Sequence, residues 1–208
     1  MFRLYRQIDH GEFFVVFGDT AQGGADSNFV QFMSRTRGDI PLVLQMRGVA
    51  AQMTPYLRDA LHWIYDKTEV KPVVAIERQN GGASVMYDLM VSNVDGKYVL
   101  YQAKGEHDEN KDRLGWDTTT LSRPKMLGEW LTAFNSSLIR IYDEETISQH
   151  QTFVVNKNGK PEADVGCHDD AVMSAAGAWQ MYQTEMPPSP PRERKQRKYD
   201  PLTGRVLS

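Results

Sequence analysis

Residues 13–17, Phe-Phe-Val-Val-Phe, form an unbroken apolar run that stops at Gly18-Asp19. A short run of β-formers bounded in this way predicts a strand buried on both faces. A glycine-rich polar loop, 20–28, separates it from Phe29-Val30-Gln31-Phe32-Met33. A turn around Arg37-Gly38-Asp39 then leads to Pro41-Leu42-Val43-Leu44-Gln45-Met46. These short connections predict an antiparallel meander of three strands. The period then changes to helical. Thr54-Pro55 reads as an N-cap with proline at the first helical position, and Tyr56, Leu57, Ala60, Leu61, Ile64 and Tyr65 follow at helical spacing.

Residues 72–77 (Pro-Val-Val-Ala-Ile-Glu) predict another buried strand, and Gly81-Gly82 opens a helix carrying Val85, Met86, Leu89 and Met90. A strand is expected over 98–102. The polar stretch 104–122 reads as a long loop or flexible hairpin, a kind of segment that is often functional. Pro124 starts a helix with Met126, Leu127, Trp130, Leu131 and Phe134 on its apolar stripe. A strand over 138–142 and a small hairpin about the turn 156–159 follow. The closing helix is expected over 168–183, with Val172, Ala175, Ala176, Trp179 and Tyr182 inward. A meander followed by strand–helix units implies an α/β domain. Its mixed sheet combines antiparallel and parallel strands, flanked by helices on both faces.

Composition sharpens this picture at two points. The 208 residues are 40% hydrophobic and 25% charged, enough for one domain with its own core. No run is long and apolar enough to span a membrane, and the start of the chain lacks the apolar segment of a secretion signal. With Cys167 the lone cysteine, no intramolecular disulfide forms, and a cytoplasmic setting is expected. The net charge of −3 is uneven, because residues 186–208 hold six basic residues and two acidic ones, leaving −7 on residues 1–185. Proline and charge dominate 186–208, so the folded domain is expected over 1–185 and a disordered basic tail beyond it.

The candidate chemistry is acidic. Asp19 ends the first buried strand, Glu77 ends the fourth, and Asp169-Asp170 opens the closing helix. Each has an ordinary structural reading, as a turn residue, an ion-pair partner or a helix cap. If the first and fourth strands are neighbours, all of them gather at one sheet edge. Carboxylates so gathered repel one another and need cations. Oxygen-rich sites suit Mg²⁺ or Mn²⁺, and a pair of such ions hydrolyses phosphodiesters. No Gly-x-Ser-x-Gly nucleophile and no phosphate-binding Walker loop is present.

Three segments resemble the nuclease motifs of the large terminase subunit of tailed bacteriophages. They are Gly18-Asp19-Thr20-Ala21-Gln22-Gly23-Gly24-Ala25-Asp26, Ala75-Ile76-Glu77-Arg78-Gln79-Asn80-Gly81-Gly82 and His168-Asp169-Asp170-Ala171-Val172-Met173-Ser174-Ala175. Ser122-Arg123-Pro124-Lys125-Met126 resembles a further segment. The likeness spans residues 13–183 and implies an RNase H-like fold. It also implies an endonuclease, dependent on two Mg²⁺ or Mn²⁺ ions, that cuts concatemeric double-stranded viral DNA during packaging in the host cytoplasm, with little sequence specificity. Asp19, Glu77, Asp169 and Asp170 would be the catalytic metal ligands, with either aspartate of the pair dominant. His168 would stand behind the ligands or contact phosphate or water, and Asp26 would cap its loop.

Arg78, Lys104, Lys111, Arg113, Arg123 and Lys125 are the candidate DNA contacts. The resemblance further implies a terminase ATPase domain, the portal and the small terminase subunit as partners. No packaging ATPase is visible in this sequence. RNase H, a Holliday-junction resolvase, and a non-catalytic portal or DNA docking module are the competing readings.

Overall fold

The computed structural model describes residues 1–23, 26–103, 113–155, 161–164 and 166–187. Lys104, Lys111, Gly24, the turn at 156–159 and the tail from 188 onward lie outside them. The chain opens with β1 (Phe2–Leu4), then the meander β2 (Phe14–Asp19), β3 (Ser27–Ser34) and β4 (Asp39–Arg47). A 3₁₀ turn (Ala50–Met53) leads into α1 (Thr54–Thr68), and β5 (Val73–Ile76), α2 (Gly82–Ser92) and β6 (Val99–Leu100) follow. A two-stranded ribbon, β7 (Gln102–Ala103) and β8 (Arg113–Leu114), precedes α3 (Ser122–Asn135). After β9 (Arg140–Ile141) come α4 (Glu144–Gln151), the hairpin strands β10 (Phe153–Val155) and β11 (Pro161–Ala163), and α5 (Asp170–Thr184).

The main sheet runs β1-β4-β3-β2-β5-β6, with β9 also paired to β4. The meander is antiparallel, and β2–β5, β5–β6 and β4–β9 are parallel. The expected mixed sheet is therefore present. Alternation along β2 divides the interior in two. Phe13, Val15 and Phe17 face the α3/α5 layer together with Val73, Ala75 and Trp130. Phe14 and Val16 face the α1/α2 layer together with Val74, Ile76, Leu57 and Met86. A strand covered on both sides has to be apolar at every position, which explains the unbroken run at 13–17.

The helix α5 lies across β2 and β3 at close range. A Cβ added at Gly177 would sit 2.4 Å from the Phe17 ring, and Ser174 donates to the Phe17 carbonyl at 3.4 Å. Small residues on that face (Ala171, Ala175, Ala178) let the helix backbone approach the sheet.

Several local expectations are corrected. Thr54 already has helical backbone, so the residue before α1 is Met53 and the threonine side chain makes no cap bond. Met90 is exposed, because α2 carries apolar residues on its outer face too, with Tyr87, Val91 and Val94 beside it at helical spacing. Trp179 and Tyr182 are only half-buried; they stack on one another at the margin of the core. The strand expected over 98–102 is two separate pieces, β6 in the main sheet and β7 in the ribbon. The arms of that ribbon pair antiparallel, and of the stretch 104–122 expected as a loop or hairpin, residues 104–112 lie outside the described residues while 113–121 lead to α3.

Two elements were not foreseen. β1 is an edge strand of three residues that pairs with Leu42, Val43 and Leu44. The eight-residue helix α4 is capped by Asp143, whose carboxylate accepts from the Thr146 backbone N–H at 2.8 Å and the Thr146 hydroxyl at 2.7 Å.

Candidate active site

Strand register dictates where the first two acids go. Gly18 pairs with Ile76 in the parallel β2–β5 ladder, and the Glu77 N–H donates to the Gly18 carbonyl at 2.9 Å. Asp19 shares the parity of Val15 and Phe17, and Glu77 that of Val73 and Ala75. Both side chains therefore emerge on the α5 face, at the carboxyl ends of adjacent parallel strands, where ligands collect in α/β sheets. The two loops leaving these strands are tied together by the buried Thr20 hydroxyl, which donates to the Gln79 carbonyl at 2.9 Å. Asn28 anchors the first loop, accepting from the Ala21 N–H at 3.0 Å and donating to the Met46 and Gly48 carbonyls. The second loop doubles back so tightly that a Cβ on Gly82 would lie 1.7 Å from the Glu77 carbonyl oxygen. Only glycine fits there.

The close packing of α5 delivers the remaining acids. Asp169 precedes the helix and Asp170 begins it, and both line one cavity of about 370 Å³ with Asp19, Glu77 and Asp26. Asp169 makes no cap bond; its Oδ2 instead receives the Arg123 guanidinium at 3.1 Å. Asp170 accepts from the Ser27 N–H at 3.1 Å. The N–H of Ala171, in the first turn of α5, goes to the Gln149 side chain at 2.8 Å, so α4 supplies the missing cap.

The electrostatics follow from this crowding. Enclosure, aided by the charge and hydrogen bond of Glu77 and by the charges of Asp170 and Asp169, pushes the Asp19 carboxyl well above the usual carboxylate range. Burial also raises Asp170. The charges of Asp26 and Asp169 push the same way, while the Ser27 N–H and His168 offset part of the rise. Without a cation, the Asp19 carboxyl keeps its proton further toward neutral pH than an ordinary aspartate does.

All four sequence-derived acids thus meet in one cavity. His168 lies with its Nδ1 3.3 Å from Asp26 Oδ1. Asp26, expected as a loop cap, stands beside them: single ligand atoms of Asp26, His168 and Asp170 lie within 4.8 Å of one another.

The candidate DNA contacts separate. Arg123 lines the cavity. Arg78 is committed elsewhere, to Asp117 at 3.1 Å and to the Leu114 carbonyl at 2.8 Å, and it pins the strand leaving the ribbon. Lys125 is exposed, 3.8 Å from Glu129, and Arg113 is exposed on β8.

No family model matches the sequence, and neither does any curated protein sequence. Solved structures do match. The large terminase nuclease of thermophilic phage G20c with bound cobalt superposes with a TM-score of 0.59 at 16% identity, over 86% of this chain and 84% of that one. The fold is that of terminase nuclease domains, an RNase H-like architecture. The same G20c domain has been solved with magnesium and with zinc. The human cytomegalovirus terminase nuclease domain, soaked with manganese and inhibitor-bound, gives 0.56 at 14% identity over 82% of this chain and 83% of that one. The P22 large terminase nuclease domain gives 0.55 at 10%, over 87% of each chain. Among the described residues no helix is long and apolar enough to cross a membrane.

Proposed function

We propose that this chain is a metal-dependent endonuclease of the large terminase type, cutting double-stranded concatemeric viral DNA during genome packaging in the host cytoplasm. The convergence of Asp19, Glu77, Asp169 and Asp170 in one cavity carries this reading. Five carboxylates, Asp26 included, face that cavity with one guanidinium among them, so the donor set is oxygen-rich and strongly negative. Such a set fits Mg²⁺ or Mn²⁺, and the raised Asp19 carboxyl marks a place where positive charge is wanted. Asp19, Glu77 and the Asp169-Asp170 pair would hold two ions, which when bound supply an activated water and stabilise the leaving oxygen.

The residues themselves do the rest. Glu77 and Asp19, on rigid strand ends, hold their carboxylates in one orientation. The Ser27 N–H orients Asp170. Arg123 balances Asp169 and stands where a phosphate would approach. His168 stands beside Asp26, with its Nδ1 3.3 Å from Asp26 Oδ1. Among the described residues no element poised to read base edges is visible, and low sequence specificity is expected. The ATPase domain, portal and small terminase subunit are the proposed partners.

Cleavage of supercoiled plasmid in Mn²⁺, Mg²⁺ or EDTA tests this, with Asp19→Ala as control. Nicking and linearisation that require metal and vanish in the variant are expected. Preference for an RNA–DNA hybrid or a four-way junction would reassign the substrate, and absence of cutting on all three would leave a docking module.

A further inference from the structure

The carboxyl end of β5 is held on two sides. On one, the Glu77 N–H bonds to the Gly18 carbonyl of β2. On the other, the segment that leaves β8 runs alongside it. The Arg78 N–H donates to the Trp116 carbonyl at 2.9 Å, and the Trp116 N–H donates to the Ile76 carbonyl at 3.0 Å. Glu77 and Trp116 thereby form a parallel bridge just past the end of the strand. The Trp116 ring anchors this segment in the α3/α5 layer, edge-on to Phe17 at 5.9 Å and against Tyr101 at 5.4 Å.

Side chains alternate at a strand end, so Arg78 points away from the face that carries Glu77. Glu77, Gln79 and Asn80 line the carboxylate cavity, whereas Arg78 does not. Its guanidinium instead grips the adjoining segment at two points, with Nη1 on the Leu114 carbonyl at 2.8 Å and Nε on the Asp117 carboxylate at 3.1 Å. Gln79 adds a third tie, donating to the Thr118 carbonyl at 3.2 Å. The ion pair is part exposed, 27% for Arg78 and 43% for Asp117, so its Coulomb energy is small. What it supplies is geometry, a rigid planar fork between two neighbouring stretches of backbone.

We infer that Arg78 is a positioning residue for Glu77, an inference that rests on the endonuclease reading above. Together with Asp117 it clamps residues 114–118 along the end of β5 and so fixes the carboxylate assigned to metal. Its charge goes to Asp117 and not to DNA phosphate. Charge and geometry predict opposite signs for its removal. By charge alone, taking a cation away from beside a metal site strengthens Mn²⁺ binding; a loosened ligand weakens it.

Calorimetric titration of Mn²⁺ into the full chain decides between them. Arg78→Ala should weaken binding about tenfold, the scale of losing a group that orients a metal ligand. Arg78→Lys keeps the charge without the fork and should weaken it as well. Cooperative thermal unfolding in EDTA identifies which variants are folded, and Arg78→Lys carries the test if Arg78→Ala is not. On plasmid, the folded variants should lose kcat at an unchanged KM, and their binding to duplex DNA in EDTA should keep the wild-type salt dependence. Mn²⁺ affinity that is unchanged in both variants, or raised in Arg78→Ala, would overturn the clamp. So would a salt slope smaller by about one in Arg78→Ala, the mark of a lost phosphate contact. A wild-type protein that binds Mn²⁺ yet cuts no DNA would refute the endonuclease reading instead, and the Mn²⁺ titration would still decide the clamp.

Discussion

Replacing Asp19 by asparagine should make the metal-free protein more stable while removing its activity. The carboxyl of Asp19 is enclosed and hydrogen-bonded to Glu77, with Asp169 and Asp170 close enough to raise it further. At neutral pH the fold must either hold like charges together or keep a proton that the unfolded chain, with its ordinary value of 3.8, would release. Retaining that proton costs about 1.4 kcal/mol per pH unit, so the ceiling at pH 7 is about 4 kcal/mol. Asparagine keeps the shape and donates to Glu77 without the charge. A gain of about 2 kcal/mol is therefore expected, which for a domain of this size raises Tm by about 4–8 °C.

The sign of the pH dependence is fixed by the raised folded value. The penalty is absent below the unfolded value and grows as pH rises toward the folded one. The difference between Asp19→Asn and wild type should vanish near pH 4 and widen toward pH 7. Urea or thermal unfolding in EDTA across that range measures it. A variant that is less stable than wild type at pH 7, or a difference that does not change with pH, would refute the account of the cluster as internally repulsive.

Metal uptake should show the same linkage from the other side. Mn²⁺ displaces the Asp19 proton, so calorimetric affinity should rise between pH 5 and 8 and proton release should accompany binding. Gly82→Ala forces a Cβ into the Glu77 carbonyl and should destabilise the protein by about 1–3 kcal/mol, with cleavage lost through displacement of Glu77; chemical denaturation and the plasmid assay read the two effects. Gly177→Ala collides with the Phe17 ring, and a loss of about 1–3 kcal/mol is expected in the same denaturation experiment. Gln149→Leu removes the side chain that caps α5 and should lower stability by about 1 kcal/mol, with Mn²⁺ affinity falling as Asp169 and Asp170 lose their fixed start.

The acids were legible in the sequence because position along a strand is a local property. Asp19 and Glu77 follow apolar runs that fall at the same depth in the sheet, and β2–β5 adjacency needs only the parallel pairing that a strand–helix–strand order favours. What could not be read is whatever depends on two distant segments meeting. The Arg123–Asp169 pair joins the first turn of α3 to the start of α5, and nothing local in either segment announces it. The Arg78–Asp117 pair likewise joins two segments far apart in the sequence. The helix α4 was overlooked because its eight residues carry little apolar periodicity, though Asp143 followed by Glu144 and Glu145 is the signature of a capped helix start. The exposure of Met90 was not legible either, because α2 is apolar on more than one face and periodicity cannot choose among faces when several qualify.

The seating of α5 across β2 also sets the order in which competence is acquired. Asp19 and Glu77 come together once the strands bearing them pair, but the final aspartates arrive on the last helix of the domain, through contacts that span about 150 residues of chain. A chain emerging from the ribosome can therefore form the meander, α1 and α2 while still lacking half of its carboxylates. The complete carboxylate set therefore needs α5 in place, with Gly177 seated over Phe17. On the proposed endonuclease reading, tying competence to completion of the fold would keep unfinished copies from cutting DNA.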